Sequence, residues 1–120
     1  MSRSAKTIFF FGVYVFLTGI AILISPNFIF KTFGLPLTDE VYPYCMSILM
    51  IVVGFYYMFT GKTESIGFFK ASVFGRTFGF LALTAVVLVK LGPPIILLFG
   101  LLDLLGAIIT GIELKKENKF

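Results

Sequence analysis

The chain contains no histidine and a single cysteine, Cys45. Without imidazole it lacks the usual haem and iron ligands and the commonest general base. One thiol cannot close an internal disulfide, and the absence of a Cys-x-x-Cys pair excludes a relay between paired thiols. No cofactor and no metal is expected from this residue set. Charge is scarce as well: Asp, Glu, Lys and Arg form 13% of the 120 residues, where roughly 25% is usual in a soluble domain. The apolar share is 58% against the usual ~45–50%, more than a globule of this length can bury. An ordinary soluble fold is therefore excluded. The net charge of +4 would point to nucleic acid in a soluble protein, but here the basic residues flank apolar runs, where they report topology. No nucleic-acid partner is expected.

The few charges cluster, and they leave four apolar intervals at 7–30, 41–61, 71–89 and 91–112. The first two carry no charge, and the last two carry one each, Arg76 and Asp103. At 1.5 Å per residue each interval is long enough to cross a hydrocarbon layer of ~30 Å. The expected fold is an all-α membrane protein, a four-transmembrane-helix antiparallel bundle forming one domain over 1–120, with helices at about 7–25, 42–60, 71–90 and 94–113. Arg3 and Lys6 give the first run the look of a signal peptide. Its length, the Ser25-Pro26 that follows it and the lack of a small-x-small site predict instead that it stays as a membrane helix.

Ser25-Pro26 ends the first helix, because proline removes a backbone donor and disfavours helical geometry in the residue before it. From Asn27 to Pro36, Phe28, Ile29, Phe30 and Phe33 surround Lys31. Two readings of that stretch stay open, a segment lying among the headgroups and a loop tucked over the helix ends. Pro43 enters the second helix in its first turn, where a missing amide proton costs least. A sequence echo links Gly12-x-Tyr14-x-x-x-Thr18-Gly19 with Gly54-x-Tyr56-x-x-x-Thr60-Gly61. It reads either as an inverted repeat of the transporter kind or as coincidence between glycine-rich helices.

Four spans put both termini on one side, with Arg3, Lys6, Lys62, Lys70, Lys115, Lys116 and Lys119 there against Lys31 and Lys90 on the other, seven basic residues to two. The positive-inside rule then expects both termini in the cytoplasm, in a bacterial inner membrane. Leu91-Gly92-Pro93-Pro94 leaves almost no loop, so helices three and four should be adjacent and antiparallel. In that geometry Arg76 is level with about Ile108, and Asp103 and Glu113 are each displaced from it by ~7.5 Å along the axis. Arg76 is within reach of either acid.

An arginine or aspartate at mid-membrane costs about 2.5–3.5 kcal/mol, and each Leu, Ile, Phe or Val returns roughly 0.3–0.6. Twelve such apolar residues between Ile95 and Ile112 let the fourth helix insert with Asp103 in place. Intramembrane ionisable groups face a bundle interior or a wet cavity. On a helical wheel Gly100, Gly106, Ala107 and Thr110 share the Asp103 face, and small side chains let helices approach closely in lipid. Helix three carries its own ridge of Ala71, Gly75, Gly79 and Ala82 beside the Arg76 face, suited to packing a different helix or another copy of the protein.

The candidate polar site is thus Arg76, Asp103, Glu113 and Thr110, and the candidate packing residues are Ala71, Gly75, Gly79, Gly100, Gly106 and Ala107. Arg76 and Asp103 read as an ion pair, direct or through water, fixing how helices three and four meet. Alternatively Arg76 reaches the headgroups or Glu113, and Asp103 serves as a protonatable acid at mid-membrane. Tyr14, Thr18, Ser47, Tyr56, Thr84 and Thr110 either line a polar path or bond to neighbouring backbone. The sixteen phenylalanines read as lipid-facing surface or as the lining of a hydrophobe site.

Ser25-Pro26 with Phe33-Gly34-Leu35-Pro36, then Gly75-Arg76, then Leu102-Asp103-Leu104-Leu105, resemble the small four-helix bacterial inner-membrane proteins grouped around the DoxX-like families. Members tend to keep an arginine inside the start of the first helix, whereas Arg3 lies before the apolar run here. The resemblance implies a fold and no particular activity. The expected role is non-enzymatic, a scaffold or accessory subunit whose partners are the bilayer and another copy or another membrane protein. The alternative is a small proton-coupled or hydrophobic-solute transporter using Asp103. A membrane enzyme is disfavoured, because no histidine, cysteine pair or carboxylate cluster at one depth supplies a catalytic set.

Overall fold

A computed structural model of the protein describes residues 1–90 and 93–119. Five helices follow in order, α1 (Arg3–Ile24), α2 (Pro26–Thr32), α3 (Tyr42–Lys62), α4 (Ile66–Leu88) and α5 (Ile96–Lys116), with no strand among the described residues. α1, α3, α4 and α5 are each long and apolar enough to cross a membrane. The chain is an all-α four-helix bundle with the make-up of a small polytopic membrane protein. The Leu91-Gly92 part of the expected tight turn lies outside the described residues.

The helices overrun the apolar intervals. α1 begins at Arg3 rather than near residue 7, α4 at Ile66 rather than 71, and α5 runs on to Lys116. A helix ends where its backbone groups find other partners, and that need not be where polarity changes. At α1 the Ser2 hydroxyl accepts from the Ala5 amide at 3.1 Å, an N-cap. The stretch after α1 holds a short helix, Pro26–Thr32, with proline in its first turn. It stops because Gly34 adopts φ +71°, which lets the Leu35 amide reach the Phe30 carbonyl at 2.7 Å and the Gly34 amide reach Lys31 at 3.1 Å. That is a Schellman turn, and its left-handed position suits glycine.

α1 and α3 pack backbone against backbone. A Cβ on Gly12 would stand 2.8 Å from the Gly54 carbonyl oxygen, and one on Gly54 would stand 2.6 Å from the Phe16 amide nitrogen and 2.8 Å from the Gly12 carbonyl oxygen. A Cβ on Gly19 would stand 2.9 Å from the Ser47 carbonyl oxygen, and one on Gly61 would stand 3.0 Å from that of Ala5. Ala5, Gly12 and Gly19 on α1 therefore oppose Gly61, Gly54 and Ser47 on α3, with a seven-residue repeat on both helices. Such a repeat keeps one stripe facing its partner along two long helices, and small residues let the axes close up. The four glycines of the sequence echo, Gly12, Gly19, Gly54 and Gly61, all lie on the antiparallel seam between α1 and α3.

α4 and α5 form the other pair. Gly100 sits under Phe80 and Leu83, so side chains rather than backbone fill this interface. α1 joins the pairs by also packing on α5, which gives the lateral order α3, α1, α5, α4. At the end holding the termini the helices converge on Ala5, Ile8, Phe69 and Leu114, with Tyr57 of α3 packed against them. Elsewhere the outward surface is apolar, with Phe10, Leu17, Phe55, Phe78 and Leu81 all more than half exposed. In water that surface would be a liability, and in hydrocarbon it is solvated.

Candidate functional site

Arg76 lies three turns into α4 and is 4% exposed. Its own helix holds it first, since Nε donates to the Ser72 carbonyl at 3.3 Å and Nη2 to the Ser72 hydroxyl at 3.2 Å. Nη2 also donates across to the Thr110 hydroxyl of α5 at 2.9 Å. Thr110 in turn shares a 2.8 Å hydroxyl contact with Thr7 of α1, so one polar chain ties α4, α5 and α1. The guanidinium lies over the Phe11 ring at 4.8 Å and the Tyr57 ring at 5.9 Å, a favourable placement for a weakly hydrated planar cation. Nη1 is buried with no hydrogen-bond partner. A Cβ on Gly106 would stand 2.8 Å from it, so the glycine makes room for the arginine.

The direct form of the expected ion pair is absent. Arg76 is within salt-bridge distance of neither Asp103 nor Glu113, and Lys119–Glu117 at 3.2 Å is the one ion pair among the described residues. The depth argument holds, because Thr110 and Gly106 bracket Ile108 on α5. Ser72, one turn back on α4, competes for the same guanidinium and fixes its aim, and that competition is invisible to a calculation of depth. Glu113 turns Oε2 inward with no hydrogen-bond partner.

Asp103 instead borders a cleft of about 650 Å³ between the two helix pairs. Tyr14, Val15 and Thr18 of α1, Met46 and Met50 of α3, and Phe99 and Leu102 of α5 supply its walls. Phe30 and Phe33 of α2 line it too, and Phe33 meets Phe99 edge-on with centroids 5.3 Å apart. Asp103 makes no hydrogen bond to another described residue. Its Oδ2 lies 3.4 Å from where a Cβ would stand on Gly79, so Gly79 leaves the carboxylate space. Clefts of this size, mostly apolar with one or two placed polar groups, suit small ligands.

The remaining expected residues sort clearly. Gly79, Gly100 and Gly106 face α5 or α4 partners, and Ala107 is buried. Gly75 has open space where a Cβ would stand, and Ala71 is exposed, so that part of the ridge faces away from the bundle. Thr18, Ser47 and Thr84 donate to carbonyls of their own helices, those of Tyr14, Tyr44 and Phe80. Only Thr110 among these hydroxyls spans between helices.

The end bearing the termini is clamped by carboxylates that the sequence reading left unassigned. Glu64 accepts from the Ser2 amide and, at 2.9 Å, from its hydroxyl. Glu117 accepts from the Ser4 amide at 2.9 Å and its hydroxyl at 3.1 Å. Two acids therefore satisfy the free amides that open α1, where the helix dipole favours negative charge. The backbone bond from Ser2 holds the Glu64 carboxyl below the usual glutamate range, and that from Ser4 does the same for Glu117. The sequence signal was present as a serine-rich start and two acids at one end of the bundle, but nothing in it pairs them.

No group of three or more carboxylates or cysteines gathers as a metal site among the described residues. No family model, curated protein or solved structure matches the chain.

Proposed function

We propose that this is a non-catalytic membrane protein that holds a hydrophobic solute in the cleft between its two helix pairs, with Asp103 as the polar anchor. The supporting observation is the unpaired Asp103 carboxylate at the border of an apolar cleft of about 650 Å³. A carboxylate left open at the depth of a membrane span is costly unless something meets it. The charge distribution supports cytoplasmic termini and residence in a bacterial inner membrane. The cleft then opens in the outer half of the span.

A dodecane carrying a diazirine at one end tests this reading. In nanodiscs it should label the cleft residues Met50 and Phe99 more strongly than the lipid-facing Phe55 and Phe59, and Met50→Trp should abolish the excess. Equal labelling of both sets would remove the solute reading. The second reading, a scaffold or accessory subunit, is favoured by the exposed α4 face, where Gly67 and Gly75 meet nothing within 4 Å.

A further inference from the structure

We propose that the solute the cleft takes is a compact organic cation, a protonated amine on a ringed apolar body, with Asp103 as the acceptor of its N–H. This rests on the cleft being a ligand site and names the class of its ligand. Tyr57 of α3 meets Phe68 of α4 edge-on with centroids 5.0 Å apart, which closes the bundle at the end holding the termini. Towards the opposite end Met46 and Met50 of α3 and Leu83 of α4 stand on the walls of one cleft of about 650 Å³. Counted from that opposite end, Thr18 lies six residues into α1 and Asp103 seven into α5, so both sit ~10 Å deep. Tyr42 opens α3, Phe99 is three residues into α5 and Phe33 packs on Phe99. The polar groups are therefore deep and these rings lie nearer the helix ends.

That polarity excludes a long-chain lipid amine, whose head belongs at headgroup level and whose tail belongs at depth. A compact molecule with its charge at the bottom and its rings above fits, and the cleft has the volume of a small-ligand site. Charge decides the rest of the class. Among the described residues on the walls Asp103 is the one charged side chain. The Thr18 hydroxyl donates to the Tyr14 carbonyl at 2.8 Å, so what it has left to show a ligand is an acceptor. Arg76 acts on Asp103 through space, but it bonds Ser72 and Thr110 and lines no part of the cleft. An ammonium in the cleft touches the carboxylate and stands farther from the guanidinium, so attraction outweighs repulsion. A bound anion meets the reverse balance. A neutral head forms a hydrogen bond of roughly half the strength of a charge-assisted one, and the aromatic walls favour a cation as well.

The test uses three aryl diazirines that differ only in one ring substituent, an aminomethyl, a hydroxymethyl or a carboxylate group. Each is equilibrated with the full chain in phosphatidylcholine nanodiscs at neutral pH. Labelling at Met50 and Phe99 is normalised to the exposed Leu49 and Leu101, which lie at nearly the same depths and correct for partitioning. The amine should exceed the alcohol and the acid about tenfold, the ratio that about 1.4 kcal/mol gives. Asp103→Asn should bring the amine down to the level of the alcohol and leave the alcohol unchanged. If Asp103→Asn does not fold, the wild-type ratios decide. Equal cleft labelling by amine and alcohol, preference for the acid, or an amine excess that survives Asp103→Asn overturns this inference while leaving the ligand site standing. No cleft excess with any of the three overturns both.

Discussion

The two helix pairs are built on opposite terms. α1 and α3 touch through glycines and carbonyl oxygens, with Lys62 over the Phe9 ring only at the end of the seam, and a Cβ added at Gly54 would fall 2.6 Å from backbone. α4 and α5 are spaced by side chains and enclose an arginine bonded to Ser72 and Thr110. In lipid, where packing and polar contacts replace the hydrophobic drive between helices, the first pair is a close-packed plank. The second keeps room for polar groups. The cleft lies where the two kinds of interface meet, so stability and the proposed binding are assigned to different helices.

The sharpest way to break that contrast is Gly54→Val. It should cost about 3 kcal/mol, the upper end for overpacking, because the atoms in the way are main chain and cannot rotate aside. Thermal unfolding in detergent measures it, and a variant as stable as the wild type would refute the backbone seam. Thr110→Val comes next. It removes one of the two acceptors of Arg76 Nη2 and the link to Thr7, and should cost about 1–2 kcal/mol. A loss equal to that of Gly54→Val would mean the α4–α5 pair is no more adaptable than the plank.

A smaller effect is expected at the clamped end. The Glu64 and Glu117 carboxyls lie below the ordinary glutamate value of 4.5 in the folded chain. Their contribution is therefore complete above that value and is lost as pH falls through the lower folded values. The melting temperature should be flat from neutral pH to about 5 and decline below it, and Glu64→Gln with Glu117→Gln should flatten the decline. An unchanged acid limb in the double variant would show that neither carboxylate holds α1. The smallest effect belongs to Gly75→Val. Open space surrounds that position, so monomer stability should hold within about 0.5 kcal/mol, and a large loss would show that α4 has a neighbour there.

Glycine shows how far a sequence can be read. Gly12, Gly54 and Gly75 are alike as letters within apolar helices, yet the first two oppose main chain and the third meets nothing. The echo around Gly12 and Gly54 was visible, but its meaning needed the antiparallel register that sets one against the other. Thr110 was legible because it shares a helical face with Asp103. Its role as acceptor for Arg76 was not, because Ser72 had to be seen holding the same guanidinium.

Composition and run length by themselves determined the solvent, the number of spans and the all-helical class. An apolar stretch in hydrocarbon must satisfy its backbone within itself, and a helix is the form that does so in a single segment. Only the tertiary structure decided which face met which neighbour. That choice kept Arg76 from bonding Asp103 directly, joined Ser2 and Ser4 to Glu64 and Glu117 and opened the cleft. Periodicity gives a helix a face but no partner, and contacts between distant segments depend on register, rotamer and competition among nearby groups.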